Sequence, residues 1–318
     1  MIIHRQQLYF IATIATLVFY PSAIQGDEFQ WKFNSGDEFS VSISQESTVT
    51  TKYETRTRPL SNQTELDLNW KVIAVENETA VIEQSITRVA VQLQTPTKDG
   101  SNRIAFDTAK PEDAASVPAA LSKQLTALVG LTFTTKMGAD GSIADVEVPD
   151  ATLTALREAP SSTSFRQMLT VEGLKQLYGH STFQLPKGDI RSNHSWKSSG
   201  STNSPWGLIE IETVNVFDGP QNIDGKELQQ FSLRRTLKNA PVSTAGDAAT
   251  NATAAPPQNA NSGELVSNSA TGKFLFDAAA GYFVSGNCEQ RIESKLAVRD
   301  QMLETKLENN LKITIKKK

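Results

Sequence analysis

Two histidines lie beyond residue 26, His180 and His194, and they bound the catalysis this sequence can hold. A serine hydrolase needs a nucleophile within reach of a histidine, and an acid that orients the imidazole. The nearest constellation is Asp189, Ser192, His194 and Ser195. Neighbouring residues on a strand point to opposite faces, so Ser195 could not serve His194 there and Ser192 or another serine would have to. The nucleophile-elbow pattern Gly-x-Ser-x-Gly is nowhere in the chain. A surface loop accounts for this constellation more simply. Glu210 and Glu212 share a strand face at a separation of roughly 7 Å, which overlaps the range of glycosidase carboxylates. Alternating glutamates are far commoner on a solvated face, and that is how they are read.

Metal and cofactor chemistry finds even less support. There is no histidine pair at helical spacing and no Cys-x-x-Cys, so a transition metal would have to draw its ligands from carboxylates. Asp140-Gly141-Ser142 with Asp145 has the look of a calcium loop, yet it lacks the 12-residue pattern and the closing glutamate, and it reads as a hairpin turn. Phosphate-cradling glycine loops and a dinucleotide fingerprint are missing too. The sequence therefore assigns no catalytic residue, no metal and no cofactor. Cys288 is the only cysteine, so no intramolecular disulfide can hold the fold. It lies in a strand-like stretch, Tyr282 to Val298, where every second residue can face inward, and a buried small apolar side chain is its expected role. The sequons at Asn62, Asn77, Asn193 and Asn251 carry meaning only in a eukaryotic secretory pathway.

The elements that would position these residues are mostly strands. Phe39, Val41 and Ile43 alternate with serines, and Leu66, Leu68, Trp70 and Val72 do the same before Glu76-Asn77-Glu78-Thr79 supplies a turn. Val81 to Leu93 then returns, and Leu131 to Met137 runs through Asp140-Gly141 into Ile143 to Val148. Later strands are expected at 207–216, 227–237, 272–276, 282–298 and 311–315. Three short helices interrupt them. One is capped by Ser116, with Pro118 just inside, Leu121, Leu125, Leu128 and Val129 on one face, and Gly130 at its end. Asp150 opens a second with Leu153 and Leu156, and 164–178 forms a third with Phe165, Met168, Leu169, Leu174 and Leu177. The fold class is mainly β, or α+β: curved antiparallel sheets with a few short helices packed on them.

Organisation follows from composition. His4 and Arg5 precede Leu8 to Tyr20, an apolar run too short to span a bilayer, so residues 1–26 read as a signal peptide with cleavage between Gly26 and Asp27. A β-rich part covers 27–149, a helical segment 150–180, and a second β-rich part 181–318. Within the last, 239–271 is rich in Ala, Asn, Ser, Thr and Pro and reads as a disordered insertion. Ile104-Ala105-Phe106-Asp107 and Phe274-Leu275-Phe276-Asp277 give the two β-rich parts a shared theme. Beyond the signal, 30 Lys plus Arg stand against 35 Asp plus Glu, a balance that argues against nucleic acid as a partner.

In several places the chain resembles a family of uncharacterised secreted bacterial β-rich proteins whose mature part is a domain of unknown function. Those places are Leu66 to Val72 with the turn at Asn77, Phe106-Asp107 followed by a leucine-rich helix and Gly130-Leu131-Thr132-Phe133, Asp140-Gly141, Phe183-Gln184-Leu185-Pro186 with Trp196, and Gly272 to Gly281. The resemblance spans about residues 30 to 315 and implies no activity. The function expected is that of an exported, periplasmic or extracellular, non-enzymatic protein without a transmembrane anchor once its signal is removed. It would bind an apolar ligand between walls such as Trp70, Phe133, Phe274 and Phe276, or serve as an envelope interaction module. The alternative is a hydrolase with its site around His180 or His194.

Overall fold

The computed structural model describes residues 28–54, 56–97, 100–110, 112–113, 117–158, 183–204, 207–239, 263–298 and 301–318. The signal peptide with Gly26 and Asp27, the helix expected at 164–178 and His180 lie outside them.

Twelve antiparallel strands form one curved, open sheet. In chain order they are β1 (Glu38–Tyr53), β2 (Arg56–Glu76), β3 (Thr79–Thr97), β4 (Gly100–Asp107), β5 (Thr132–Gly138), β6 (Ile143–Glu147), β7 (Ser195–Ser204), β8 (Gly207–Ile223), β9 (Lys226–Asn239), β10 (Gly263–Asp277), β11 (Tyr282–Val298) and β12 (Gln301–Lys317). Across the sheet they run β6-β5-β3-β2-β1-β12-β11-β10-β9-β8-β7, with β4 paired to the far end of β3. Each half of the sequence thus folds as a meander, and the two meet where β1 pairs with β12 over fifteen residues, Phe39↔Lys317 to Tyr53↔Leu303. Two described helices, α1 (Ala119–Thr126) and α2 (Asp150–Glu158), complete it.

Turn chemistry fixes the hairpins. Asn77 and Glu78 both take positive φ (48° and 63°) between the paired residues Glu76 and Thr79, the two-residue turn whose twist suits a hairpin. Asp224 and Gly225 do the same between β8 and β9. The shared motif has a structural counterpart. Asp107 ends β4 and accepts from the Ala109 N–H (2.9 Å), while Asp277 ends β10 and accepts from the Ala280 N–H (3.0 Å). Both carboxylates are buried and ion-paired, Asp107 to Arg88 at 2.8 Å and Asp277 to Lys226 at 2.5 Å.

Among the described residues, the hydrophobic core cluster gathers at one end of the sheet. Phe39, Val41 and Ile43, Leu68 and Trp70, Ile313 and Ile315, Phe274 and Phe276, and Phe231 and Phe217 share one face there, and all are buried. Three backbone bonds draw the two meanders together over them. Trp31 N–H donates to Ala139 O and Lys32 N–H to Gly281 O, each at 2.8 Å, and Leu185 N–H donates to Asp140 O at 2.8 Å. Phe29, Trp31, Phe183 and Leu185 cover this lower end, and Phe183 lies 5.0 to 5.6 Å from the rings of Phe274, Phe231 and Phe283.

Several expectations need correction. Ser195 to Ser204, absent from the expected strands, is β7, because Trp196 anchors it in the core and Ser195↔Val216 to Ser204↔Gly207 pair throughout. β10 begins at Gly263, inside the segment 239–271 read as an insertion. Hydroxyl and amide side chains there suit a strand in which Asn268 bonds both the N–H and the C=O of Leu237, at 2.6 and 2.7 Å. β12 runs from Gln301, ten residues before the strand expected at 311. Helix α1 starts after Pro118 with no side-chain cap, Ser116 falls outside the described residues, and Val129 is exposed while Leu125 and Leu128 are buried. The strand groups on either side of residues 150–190 are parts of the same sheet.

Candidate functional site

Residues that face one another across neighbouring strands project to the same side, so the register sorts the core-bearing face into transverse rows. The row Leu66, Ile43, Ile313, Gly286, Phe274, Phe231, Phe217 belongs to the core. Two rows further up, the same face is polar: Asn62, Ser47, Asn309, Gln290, Ala270, Arg235, Thr213. Ser47 Oγ donates to Asn309 Oδ1 at 2.8 Å, Gln45 Nε2 donates to the same oxygen at 3.0 Å, and Arg235 Nε donates to Thr213 Oγ1 at 3.2 Å. Burial works against the Arg235 charge and lowers its pKa from the usual arginine value. Burial likewise pushes the Cys288 thiol up, with Cys288 packed against the core on this face.

The next row up turns apolar again. Leu60, Val49, Leu307 and Ile292 face one another across β2, β1, β12 and β11. Asn268 follows on β10, and Leu237 and Ile211 continue the row on β9 and β8. Ile292 is buried, Leu60 is 40% exposed, and Val49, Leu307, Leu237 and Ile211 are half-buried. Seven strands at about 4.8 Å spacing make this row about 29 Å long. Above it Arg58, Thr51, Thr305 and Ser294 form a second polar row, and Leu303 and Leu296 stand beyond that. An apolar row between two polar ones can take up a linear apolar chain laid across the strands, with polar groups on either flank.

The opposite face is hydrophilic throughout its middle. Glu46, Thr48, Gln63, Gln92, Glu289, Arg291, Glu308 and Asn310 line an open groove of about 500 Å³ there. Arg88 on that face donates from Nε and Nη2 to Asp107, from Nη1 to Asp67 and from Nη2 to Glu65, at 2.8 to 3.2 Å. The hydrogen bond from Arg88 holds the Asp107 carboxyl below the usual carboxylate range, outweighing burial.

The residues singled out in the sequence separate into three fates. Trp70, Phe133, Phe274 and Phe276 are core, and Trp70 and Phe274 line, with Trp31, Phe183 and Phe283, a cavity of about 30 Å³, a volume for a single water. His194 is exposed in a turn and stacks on Trp196 at 6.2 Å, while Ser192 Oγ donates to the backbone oxygen of Asp218 at 3.0 Å. No side-chain hydrogen bond joins His194 to Asp189, Ser192 or Ser195. Glu210 is exposed on the hydrophilic face, and Glu212 is held by Lys197 at 3.2 Å and Lys238 at 3.7 Å. The apolar row itself was hidden because Leu303, Leu307 and Leu311 recur every four residues, a spacing that fits one face of a helix and one face of a strand alike.

No protein-family model and no curated protein matches the chain. Among solved structures it is similar to lipovitellin, at 13% identity and a TM-score of 0.49 over 90% of this chain, which spans a quarter (25%) of the lipovitellin chain. Fainter likenesses are to the COG4313 outer membrane channel from Pseudomonas putida F1 (8% identity, 90% of this chain and 97% of that one, TM-score 0.21) and to a DUF1329 family protein from Desulfovibrio piger (10% identity, 87% and 84%, TM-score 0.14). None of the three lends its activity to this chain.

Proposed function

We propose that this protein is exported and, without catalysis, holds a linear apolar chain such as an acyl chain against the row Leu60, Val49, Leu307, Ile292, Leu237 and Ile211. The observation that carries this reading is the return of apolar side chains to the core-bearing face beyond a belt of amides and hydroxyls, well away from the packed aromatic end. A sheet that served only as scaffold would keep this stretch polar, as its other face does. Ten methylenes buried there would contribute about 8 kcal/mol before the costs of ordering, which places affinity for a single chain at micromolar or weaker. The same reading takes residues 1–26 as the signal, cut between Gly26 and Asp27, and the exported family of unknown function as the chain's kin.

The test is native mass spectrometry of the protein purified gently from its own host, followed by organic extraction. A bound apolar passenger, lost from Leu307→Gln and Val49→Asn while their thermal midpoints stay near wild type, supports the reading. A clean mass from the wild type, together with no displacement of a fluorescent fatty acid, overturns it. The mass also reads out the cleavage site.

A further inference from the structure

We propose that two copies of this chain pair edge to edge through β7, extending the sheet across a two-fold axis at or next to Gly200. The inference is independent of the ligand reading. The two edges of the sheet are built differently. At one, β6 has five residues, its pairing with β5 slips between Lys136 and Met137, Asp145 and Glu147 carry charge beside Lys136, and Pro149 follows closely. Those are the devices that keep an edge strand from recruiting another. At the other edge, β7 keeps an unbroken ten-residue register with β8, contains no proline, and carries one charge, Lys197, which Glu212 engages at 3.2 Å. Every second residue of β7 turns its N–H and C=O outward, and these groups have no partner among the described residues.

A second β7 is the occupant this edge fits. In an antiparallel pair related by a two-fold axis normal to the sheet, facing residues must project to the same side, so the axis passes beside a single residue. Placing it at Ser199 or Gly200 uses nearly the whole strand and sets Lys197 opposite Ser201 or Asn203, so like charges never meet. Gly200 faces Ile211, the last member of the apolar row. With the axis at Gly200 the rows of both copies run into one line, Leu237, Ile211, Gly200 and then their symmetry mates. A two-fold pairing of this kind is closed: each β7 edge is consumed by the other, so it stops at two copies.

Sedimentation of the full mature chain from about 1 to 100 μM should show a reversible dimer, the range expected of a small edge contact. Single cysteines placed from 197 to 203 in a Cys288→Ala background should cross-link most at 199 or 200, where facing Cα atoms sit about 4.5–5.5 Å apart, and least at the ends. Gly200→Lys should weaken the dimer tenfold or more with an unchanged thermal midpoint at low concentration, since a Cβ built on Gly200 meets nothing within 4 Å. A monomer throughout that range, or a dimer indifferent to Gly200→Lys with no cross-linking maximum on β7, overturns the proposal.

Discussion

Gly286 allows a sharp test of how the aromatic end is packed. It sits on β11 opposite Phe274, and a Cβ built on it would fall 2.6 Å from Cδ1 and 2.7 Å from Cε1 of that ring. Carbon atoms attract best at about 3.5–4.0 Å, so Gly286→Ala forces the ring aside by close to an ångström. Phe274 is buried against Phe183 (5.0 Å) and Phe283 (6.0 Å), and it shares with Gly286 a cavity of about 30 Å³ too small to take up the ring. Overpacking of this kind costs about 1–3 kcal/mol. Replacing a strand glycine by alanine would otherwise stabilise by about 0.5–1 kcal/mol, so the net expectation is a loss centred near 1 kcal/mol and at most about 2.5 kcal/mol, roughly 2–4 °C in Tm at the centre. The assay is urea unfolding followed by circular dichroism, with Phe274→Leu and the double variant completing a cycle. Each single change should destabilise, and the double should lose at least about 0.5 kcal/mol less than their sum, because the smaller side chain vacates the space the methyl needs. A stabilising Gly286→Ala, or strict additivity, would refute the packing argument.

Glu78→Gly should stabilise by about 0.5–1 kcal/mol, read as a rise in the urea midpoint, since Glu78 holds φ at 63° where glycine is unstrained. Asp107→Asn should cost about 1–3 kcal/mol at pH 7, from weakened charge-assisted bonds to Arg88. Because Asp107, Asp277 and Asp37 have folded pKa values below their unfolded ones, their contribution is complete above about pH 4 and is lost as pH falls through the folded values. Unfolding midpoints should therefore hold steady from pH 7 to about 5 and drop below about 4, with a shallower drop in Asp107→Asn. Cys288 should react with iodoacetamide roughly tenfold or more slowly in the folded protein than in denaturant, its thiolate being disfavoured by burial.

The lower end of the sheet was legible because its strands alternate strictly. Phe39, Val41 and Ile43 against serines, or Leu66 to Val72, leave no other period to fit. The upper halves of the same strands were not. Ser47 to Tyr53 and Gln301 to Asn310 carry hydroxyls, amides and charges on both faces, so their pattern gives no clear strand signal, and it is the ladder to a neighbouring strand that makes them β. Ser195 to Ser204 gives no strand signal for the same reason, its one strong anchor being Trp196. The Phe-Asp theme proved informative beyond its length, since Asp107 and Asp277 close strands in the same way. The apolar row could not be read because its members come from six strands, and only the register lines them up.

The seam between β1 and β12 has a consequence for how the molecule assembles. Each meander is built from neighbours in sequence and can form by local zippering. The seam joins residues 250 or more positions apart, such as Tyr53 with Leu303 and Phe39 with Lys317, and the loop it closes is entropically the most demanding in the protein. During synthesis β1 and β2 are available long before β12 exists, so the seam side of β1 waits as a long bare edge until residues 301–317 arrive. Export while still unfolded would remove that waiting period, letting both wings meet after the whole ladder has crossed. Slow, late docking of β12, and aggregation through β1 whenever β12 is shortened, would be the kinetic signature of a sheet whose first and last strands are its middle.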